Sequence, residues 1–196
     1  MIRRQVNVRT ELKISFGTGT IKNDRIYNEF LQLEQFMYYT KFNTRFCEIT
    51  LAGDEKGLAL LHLNTGQGSR EFEIQSSWEL KPEFFKNTQS QILEYLAGKR
   101  AVFEVSLNPA GTEFQKTVWA QLCTIPYNSL ASYGDIAKKL GNPKAARAVG
   151  AANGKNPIPL IIPCHRVVGA DGNLTGFAHG LAIKEKLIAL EQGLIF

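Results

Sequence analysis

The spacing of apolar residues follows two different periods, and the character of the chain changes near residue 108. Residues 46–51 place Cys47, Ile49 and Leu51 on one face at period two, the pattern of a half-buried strand. Residues 57–63 predict a second strand, and Ala52-Gly53-Asp54-Glu55-Lys56 between them reads as a hairpin loop. From Pro82 the spacing turns helical, with Phe85, Ile92, Leu93 and Leu96 directed to a core and Gly98 as the stop. Residues 101–107 alternate again as a strand, residues 30–39 fit helix or strand equally, and no internal repeat is found.

Asn108-Pro109-Ala110-Gly111 is a natural break. Beyond it, Thr112 with Gln115 forms the spacing of a capping box, followed by Phe114, Val118, Trp119 and Leu122 on one face. Ser132 with Asp135 opens a second helix with Ile136, Ala137 and Leu140 inward, and Gly141 suits its left-handed stop. Asn142 caps a third helix at once, with Pro143 in its first position. Two helices joined so tightly carry the punctuation of a helix-turn-helix. The chain therefore predicts an α+β fold: an N-terminal small α/β domain with a mostly antiparallel sheet (residues 1–107) and a mainly helical C-terminal domain containing the helix-turn-helix (residues 108–196).

Charge and composition sharpen this picture. The chain has 196 residues and a net charge of +5, with 44 % hydrophobic residues, enough for a packed core. Basic and acidic residues number 14 and 13 up to residue 107, but 9 and 5 beyond it. That excess permits nucleic-acid binding without requiring it. No apolar stretch approaches the ~20 residues of a membrane span. The basic start of the chain, Met1 to Asn7, lacks the apolar run of a secretory signal. Three cysteines without short paired spacing favour a reducing cytoplasm over a disulfide scaffold.

The third helix, residues 143–153, is nearly all alanine and glycine, with Lys144, Arg147, Val149 and Asn153 as its larger side chains. A packed core helix is one reading. A lone arginine in its middle favours the other, a helix that brings its backbone close to a DNA groove while one long cation reaches beyond. After it, Pro157, Pro159 and Pro163 bracket an apolar run, which excludes helix and predicts an extended, buried passage ending at Cys164 and His165. A cationic neighbourhood would populate the Cys164 thiolate. Adjacent side chains on an extended segment point apart, so cooperation between the two would run through a water.

In the last helix, residues 181–193, the apolar arc is Leu181, Ile183, Leu187, Ile188 and Leu190, and Lys184 and Glu191 fall inside it. Glu191 either pairs with Lys184 or is exposed on the terminal turn, or it orients and charges His165. Cys47 and Cys123 read as packing residues and His62 as exposed or core, and no metal-ligand spacing is present.

Pro163-Cys164-His165-Arg166-Val167, preceded by Gly141-Asn142-Pro143-Lys144-Ala145-Ala146-Arg147-Ala148-Val149-Gly150, resembles the O6-alkylguanine-DNA alkyltransferases. The resemblance runs from about residue 112 to 193, nearly half the chain. It implies direct-reversal DNA repair without a cofactor or metal: irreversible, single-turnover transfer of a methyl (alkyl) group from guanine O6, and from thymine O4, to Cys164. The implied partner is double-stranded DNA containing O6-alkylguanine, bound by a monomer in the cytoplasm, at the nucleoid in a bacterium. His165 is implied as the base, acting through a water, and Glu191 as its orienting acid. Tyr133 is implied to donate to guanine N3 and rotate the nucleotide, and Asn156 to tie the helix-turn-helix to the active-site loop. Arg147 is the implied finger that fills the flipped base's place. Lys144, Ala146, Ala148, Gly150 and Ala151 complete a DNA face in the minor groove. Val167, Phe177, Ala178 and Lys184 are implied around the base, with the Val167 and Cys164 carbonyls accepting from its exocyclic amine and a backbone NH near Ala178 meeting O6.

Phe177 and Ala178 stand where some relatives carry Tyr and Ser, and His179 stands where a small residue is common. A bulkier wall predicts methyl as the transferred group. Two readings of other classes compete: a lesion binder or regulator using the same helix-turn-helix, against which Cys164 speaks, and a Cys-His-Glu hydrolase, against which the Cys164–His165 adjacency speaks.

Overall fold

The computed structural model describes residues 36–67 and 72–194. The basic start of the chain and most of the ambiguous 30–39 segment lie outside the described residues. The described end of that segment leads into β1 (Tyr38–Asn43), which pairs antiparallel with β2 (Glu48–Asp54). β2 pairs antiparallel with β3 (Gly57–Asn64), and a short β4 (Glu79–Leu80) joins β1 in parallel, giving the order β3-β2-β1-β4.

The hairpin is tighter than the expected loop. Ala52, Gly53 and Asp54 all enter the ladder, leaving Glu55 and Lys56 as the turn, where Asp54 Oδ1 accepts from Lys56 N at 2.9 Å. Nor is β2 half-buried: as an inner strand it buries Ile49, Thr50, Leu51 and Ala52 on both faces.

Pro82 starts a 3₁₀ turn (Pro82–Phe85) that runs into α1 (Lys86–Leu96), and Gly98 at φ +71° ends the helical stretch. α1 buries Ile92, Tyr95 and Leu96. Leu93, expected inside, is exposed, because it lies about 100° round the helix from Ile92. The expected strand at 101–107 keeps its alternation but is not a strand. Its backbone is satisfied by other means: the Gln91 amide accepts from Glu104 N at 2.8 Å and donates to Glu104 O at 3.1 Å. A single bridge, Leu58 to Leu107, ties its end to β3.

α2 (Glu113–Leu122) begins at the complete Thr112–Gln115 capping box and buries Val118, Trp119 and Leu122, while Phe114 is exposed on the first turn. Cys123 just after it is exposed rather than packed. β5 (Ala131–Ser132) leads into α3 (Tyr133–Lys139), which the Ser132–Asp135 box caps. Gly141 takes φ +76° after it. The Asn142 side chain makes no cap bond. Its carbonyl accepts from Ala145 N at 3.0 Å, starting a 3₁₀ turn (Pro143–Ala145) that continues as α4 (Ala146–Gly154).

Residues 156–168 are buried as expected but coiled rather than extended. Ile162 N donates to Ile158 O at 2.9 Å, Leu160 adopts φ +72°, and Cys164–Arg166 form a 3₁₀ turn before β6 (Val167–Val168). Prolines forbid a continuing helix but not single turns between them. β6 pairs in parallel with β5. α5 (Leu181–Glu191) buries Ile183, Lys184, Leu187, Leu190 and Glu191, while Leu181 at its start is exposed. Buried side chains from both sides of residue 107 form one continuous core, and Leu61 N of β3 donates to Pro157 O at 2.9 Å. Among the described residues no helix is long and apolar enough to cross a membrane.

Candidate active site and DNA-facing helix

Cys164 opens the 3₁₀ turn that follows Pro163 and is only 4 % exposed. The segment bearing it is held by one side chain. The Asn156 amide donates to Ile162 O at 2.8 Å and accepts from Ile158 N at 3.0 Å. It thereby spans the turn in which Leu160 sits in the left-handed region, a conformation costly for a side chain with a Cβ.

The 3₁₀ turn carries His165 and Arg166 inward, both buried. Glu191 reaches them from the last turn of α5. Its Oε1 accepts from Arg166 Nη2 at 2.8 Å and lies 2.9 Å from His165 Nε2, and Oε2 accepts from Asn128 N at 3.0 Å. Arg166 Nη1 also donates to Ile125 O at 2.7 Å. Tyr95 of α1 completes the cluster, donating its phenol proton to Glu191 Oε1 at 2.6 Å with its oxygen 3.1 Å from His165 Nε2.

The charge states follow from these contacts. Burial would raise the Glu191 pKa, but hydrogen bonds from His165, Arg166 and Tyr95 outweigh it and hold the carboxyl at about 2. Burial pushes the Tyr95 phenol well up, and the Glu191 charge adds to this, so it remains a donor. Burial lowers His165, against the pull of Glu191, so its neutral form is favoured. With a carboxylate facing Nε2, and the phenol's single proton committed to that carboxylate, the network assigns the neutral imidazole its hydrogen on Nε2. Nδ1 is then the basic nitrogen; it is buried and has no hydrogen-bond partner among the described residues. The two simpler readings of Glu191 are excluded: it neither pairs with Lys184 nor lies exposed.

Cys164 lines a narrow pocket with Asn153, Gly154, Asn156, Pro159, Gly176, Phe177, Ala178 and His179. Its free volume of about 10 Å³ suits a water and not a purine. Phe177 and Ala178 thus stand beside Cys164. Val167 and Lys184 do not line the pocket and bond each other instead: Lys184 Nζ donates to Val167 O and Thr175 O, both at 2.6 Å. Burial lowers Lys184 to about 8, while the nearby Cys164 charge works in the opposite sense. The Cys164 carbonyl accepts from Val167 N. Tyr133, first residue of α3, donates its phenol to Thr175 O at 3.2 Å, in the segment leading to the pocket wall. Burial raises the Cys47 thiol to about 11, and neighbouring atoms partly desolvate the surface thiol of Cys123 and raise it too.

The outer face of α4 is exposed and made of small residues around one long cation. Val149, Ala152 and Asn153 turn inward, with Trp119 Nε1 donating to Ala152 O at 2.9 Å. Lys144, Arg147, Ala148 and Ala151 are exposed, and Ala146 and Gly150 half-buried. The packed-core reading of this helix therefore fails. Lys138, Lys139 and Lys155 are exposed nearby in sequence. Sequence reasoning missed Tyr95, Asn128 and the inward role of Arg166. The Pro-Cys-His-Arg run itself carried the signal for Arg166, since a buried guanidinium needs a carboxylate. No local pattern marks the other two.

Residues 113–193 match the family model for the DNA binding domain of 6-O-methylguanine DNA methyltransferase, and residues 37–109 match its ribonuclease-like domain. The methylated-DNA–protein-cysteine methyltransferase of Methanosarcina acetivorans is 52 % identical over 79 % of this chain and 98 % of its own. The crystal structure of Mycobacterium tuberculosis OGT in complex with DNA superposes with a TM-score of 0.74 at 41 % identity, covering 80 % of this chain and 94 % of that one. The O6-methylguanine DNA methyltransferase of Methanococcus jannaschii gives 0.58 at 27 % identity, covering 80 % and 95 %. In sequence and in fold alike, the chain belongs to the methylated-DNA–protein-cysteine methyltransferase family.

Proposed function

We propose that this protein repairs double-stranded DNA by direct reversal, taking the methyl or larger alkyl group of O6-alkylguanine, and of O4-alkylthymine, onto Cys164. One observation carries the assignment to this residue. Cys164 lines the narrow pocket beside Asn156 and residues 176–179 and alone among the three cysteines is followed by a histidine, and that His165 is locked to Glu191 by one ring nitrogen with the other left basic. His165 takes the thiol proton through a water. The thiolate then attacks the alkyl carbon, an S–C bond forms as the C–O bond breaks, and the electron pair leaves on guanine O6. A proton donated toward N3 by the Tyr133 phenol neutralises the departing base. The thioether has no route back to a thiol, so each molecule acts once.

A guanine inside the stack offers its alkyl carbon no line of attack, so the nucleotide has to leave the duplex. The exposed Arg147 on a surface of Ala148 and Ala151 supports minor-groove docking, with the guanidinium filling the space behind the flipped base. The narrow pocket supports movement of the 176–179 wall, with Tyr133 releasing Thr175, as the base enters. Lys184 and Val167 act behind this wall, the ammonium bridging carbonyls at 167 and 175. The protein works as a monomer, without a cofactor, in the cytoplasm where the chromosome is accessible. Cys164→Ser tests the assignment: methyl uptake from alkylated duplex disappears while duplex binding persists, and uptake that survives the substitution refutes it.

A further inference from the structure

We propose that Tyr95 is a positioning residue for the transfer, loading the Glu191 carboxylate so that His165 stays a neutral base. This rests on the reading of His165 as the group that takes the Cys164 proton. Tyr95 lies 70 residues before His165 and 96 before Glu191, on a helix with no other part in the site. Its side chain is fully buried, in tilted contact with Phe103 and edge contact with Tyr127, so the ring is fixed by packing. Its hydroxyl does not merely fill space. At 2.6 Å from Glu191 Oε1 it competes for the same oxygen that faces His165 Nε2 at 2.9 Å.

The groups facing His165 are Glu191 and Lys184 from α5, Tyr95 from α1, and Arg166 from its own turn; Arg166 acts in turn on Glu191 and Tyr95, and Tyr127 on Tyr95. Of these, only Glu191 favours the imidazolium, and Tyr95 and Arg166 both spend part of its charge. Removing the phenol proton donor returns that share to His165. The phenol oxygen is lost as a neutral acceptor at the same time, but a charge-assisted bond is roughly twice as strong as a neutral one, so the carboxylate decides the sign. The imidazole becomes harder to keep neutral.

The test is the pH profile of single-turnover methyl transfer to Cys164 from methylated duplex, for the parent protein, Tyr95→Phe and Tyr95→3-fluorotyrosine, the last a stronger donor. Tyr95→Phe is expected to move the acid limb up by about half a pH unit, a roughly threefold loss of rate below the limb. Rates above the limb and duplex affinity are retained. The fluorinated side chain moves the limb down, and it carries the test alone if the phenylalanine protein does not fold. Superimposed limbs, or an equal loss of rate at every pH, overturn the proposal and leave Tyr95 a packing residue. A methyl group that appears on a residue other than Cys164 in the parent protein overturns instead the underlying assignment.

Discussion

Glu191 has a role that its local sequence only half discloses. Lying within an apolar arc, it had to be neutralised or partnered, and the structure supplies His165, Arg166, Tyr95 and the backbone of Asn128. Glu191→Gln keeps the shape, removes the charge and turns an NH₂ toward donors. Chemical denaturation should report a loss of roughly 3–5 kcal/mol, the usual cost of leaving a buried ion pair with one partner. An unchanged denaturation midpoint would show that the cluster contributes nothing to the fold. Asn156→Ala is expected to cost about 2 kcal/mol, for two buried hydrogen bonds. It should also slow alkyl transfer while duplex affinity holds, since the Leu160 turn before Cys164 loses its brace. Unaltered transfer kinetics would separate Asn156 from the positioning of the thiol.

At the level of elements, the helix-turn-helix is the part that local chemistry specified best. The Ser132–Asp135 capping box and the left-handed Gly141 act within a few residues, so their signals survive in one dimension. Residues 101–107 show the opposite case. Their alternation is real, but the partner of Glu104 is the Gln91 side chain and not a strand, which no periodicity encodes. The proline-rich passage misled for a related reason: tertiary burial drives it into short turns that a propensity argument does not anticipate. Tyr95 was invisible because its partners are far along the chain. The exposed α4 face gives a direct prediction. Arg147→Ala should slow repair of alkylated duplex by at least about tenfold, the effect of losing ~1.4 kcal/mol of docking, with reaction at free O6-alkylguanine base changed less. Equal slowing on base and duplex counts against a finger. Ala148→Glu, at an exposed site, should weaken duplex binding and leave the melting temperature within a degree or so of the parent, because surface substitutions of this kind change stability little; a large loss of stability would mean that this face is packed.

For the molecule as a whole, the buried cluster joins the sheet-bearing first part of the described chain to the helical second part, through Tyr95 of α1 and Glu191 of α5 within one continuous core. Its ionisation therefore reads out in global stability. Glu191 is held at about 2, below its value in an unfolded chain, so the stability it contributes is present above roughly pH 4.3 and is lost as the pH falls toward 2. His165 is also lowered by burial, so its share is present above roughly pH 6.5 and is lost as acid protonates the imidazole. The two have the same sign, and stability should decline on acidification from near neutrality in two stages. His165→Gln should remove the upper stage and keep the lower; an upper stage that persists in that variant would assign it elsewhere.

The central claim concerns a single sulfur atom, and intact mass spectrometry reaches it directly. After incubation with excess duplex containing O6-methylguanine, the protein should gain one CH₂ and no more, located by peptide mapping on Cys164. No gain in mass, a gain on Cys47 or Cys123, or demethylation of many duplexes by each protein molecule would contradict the account.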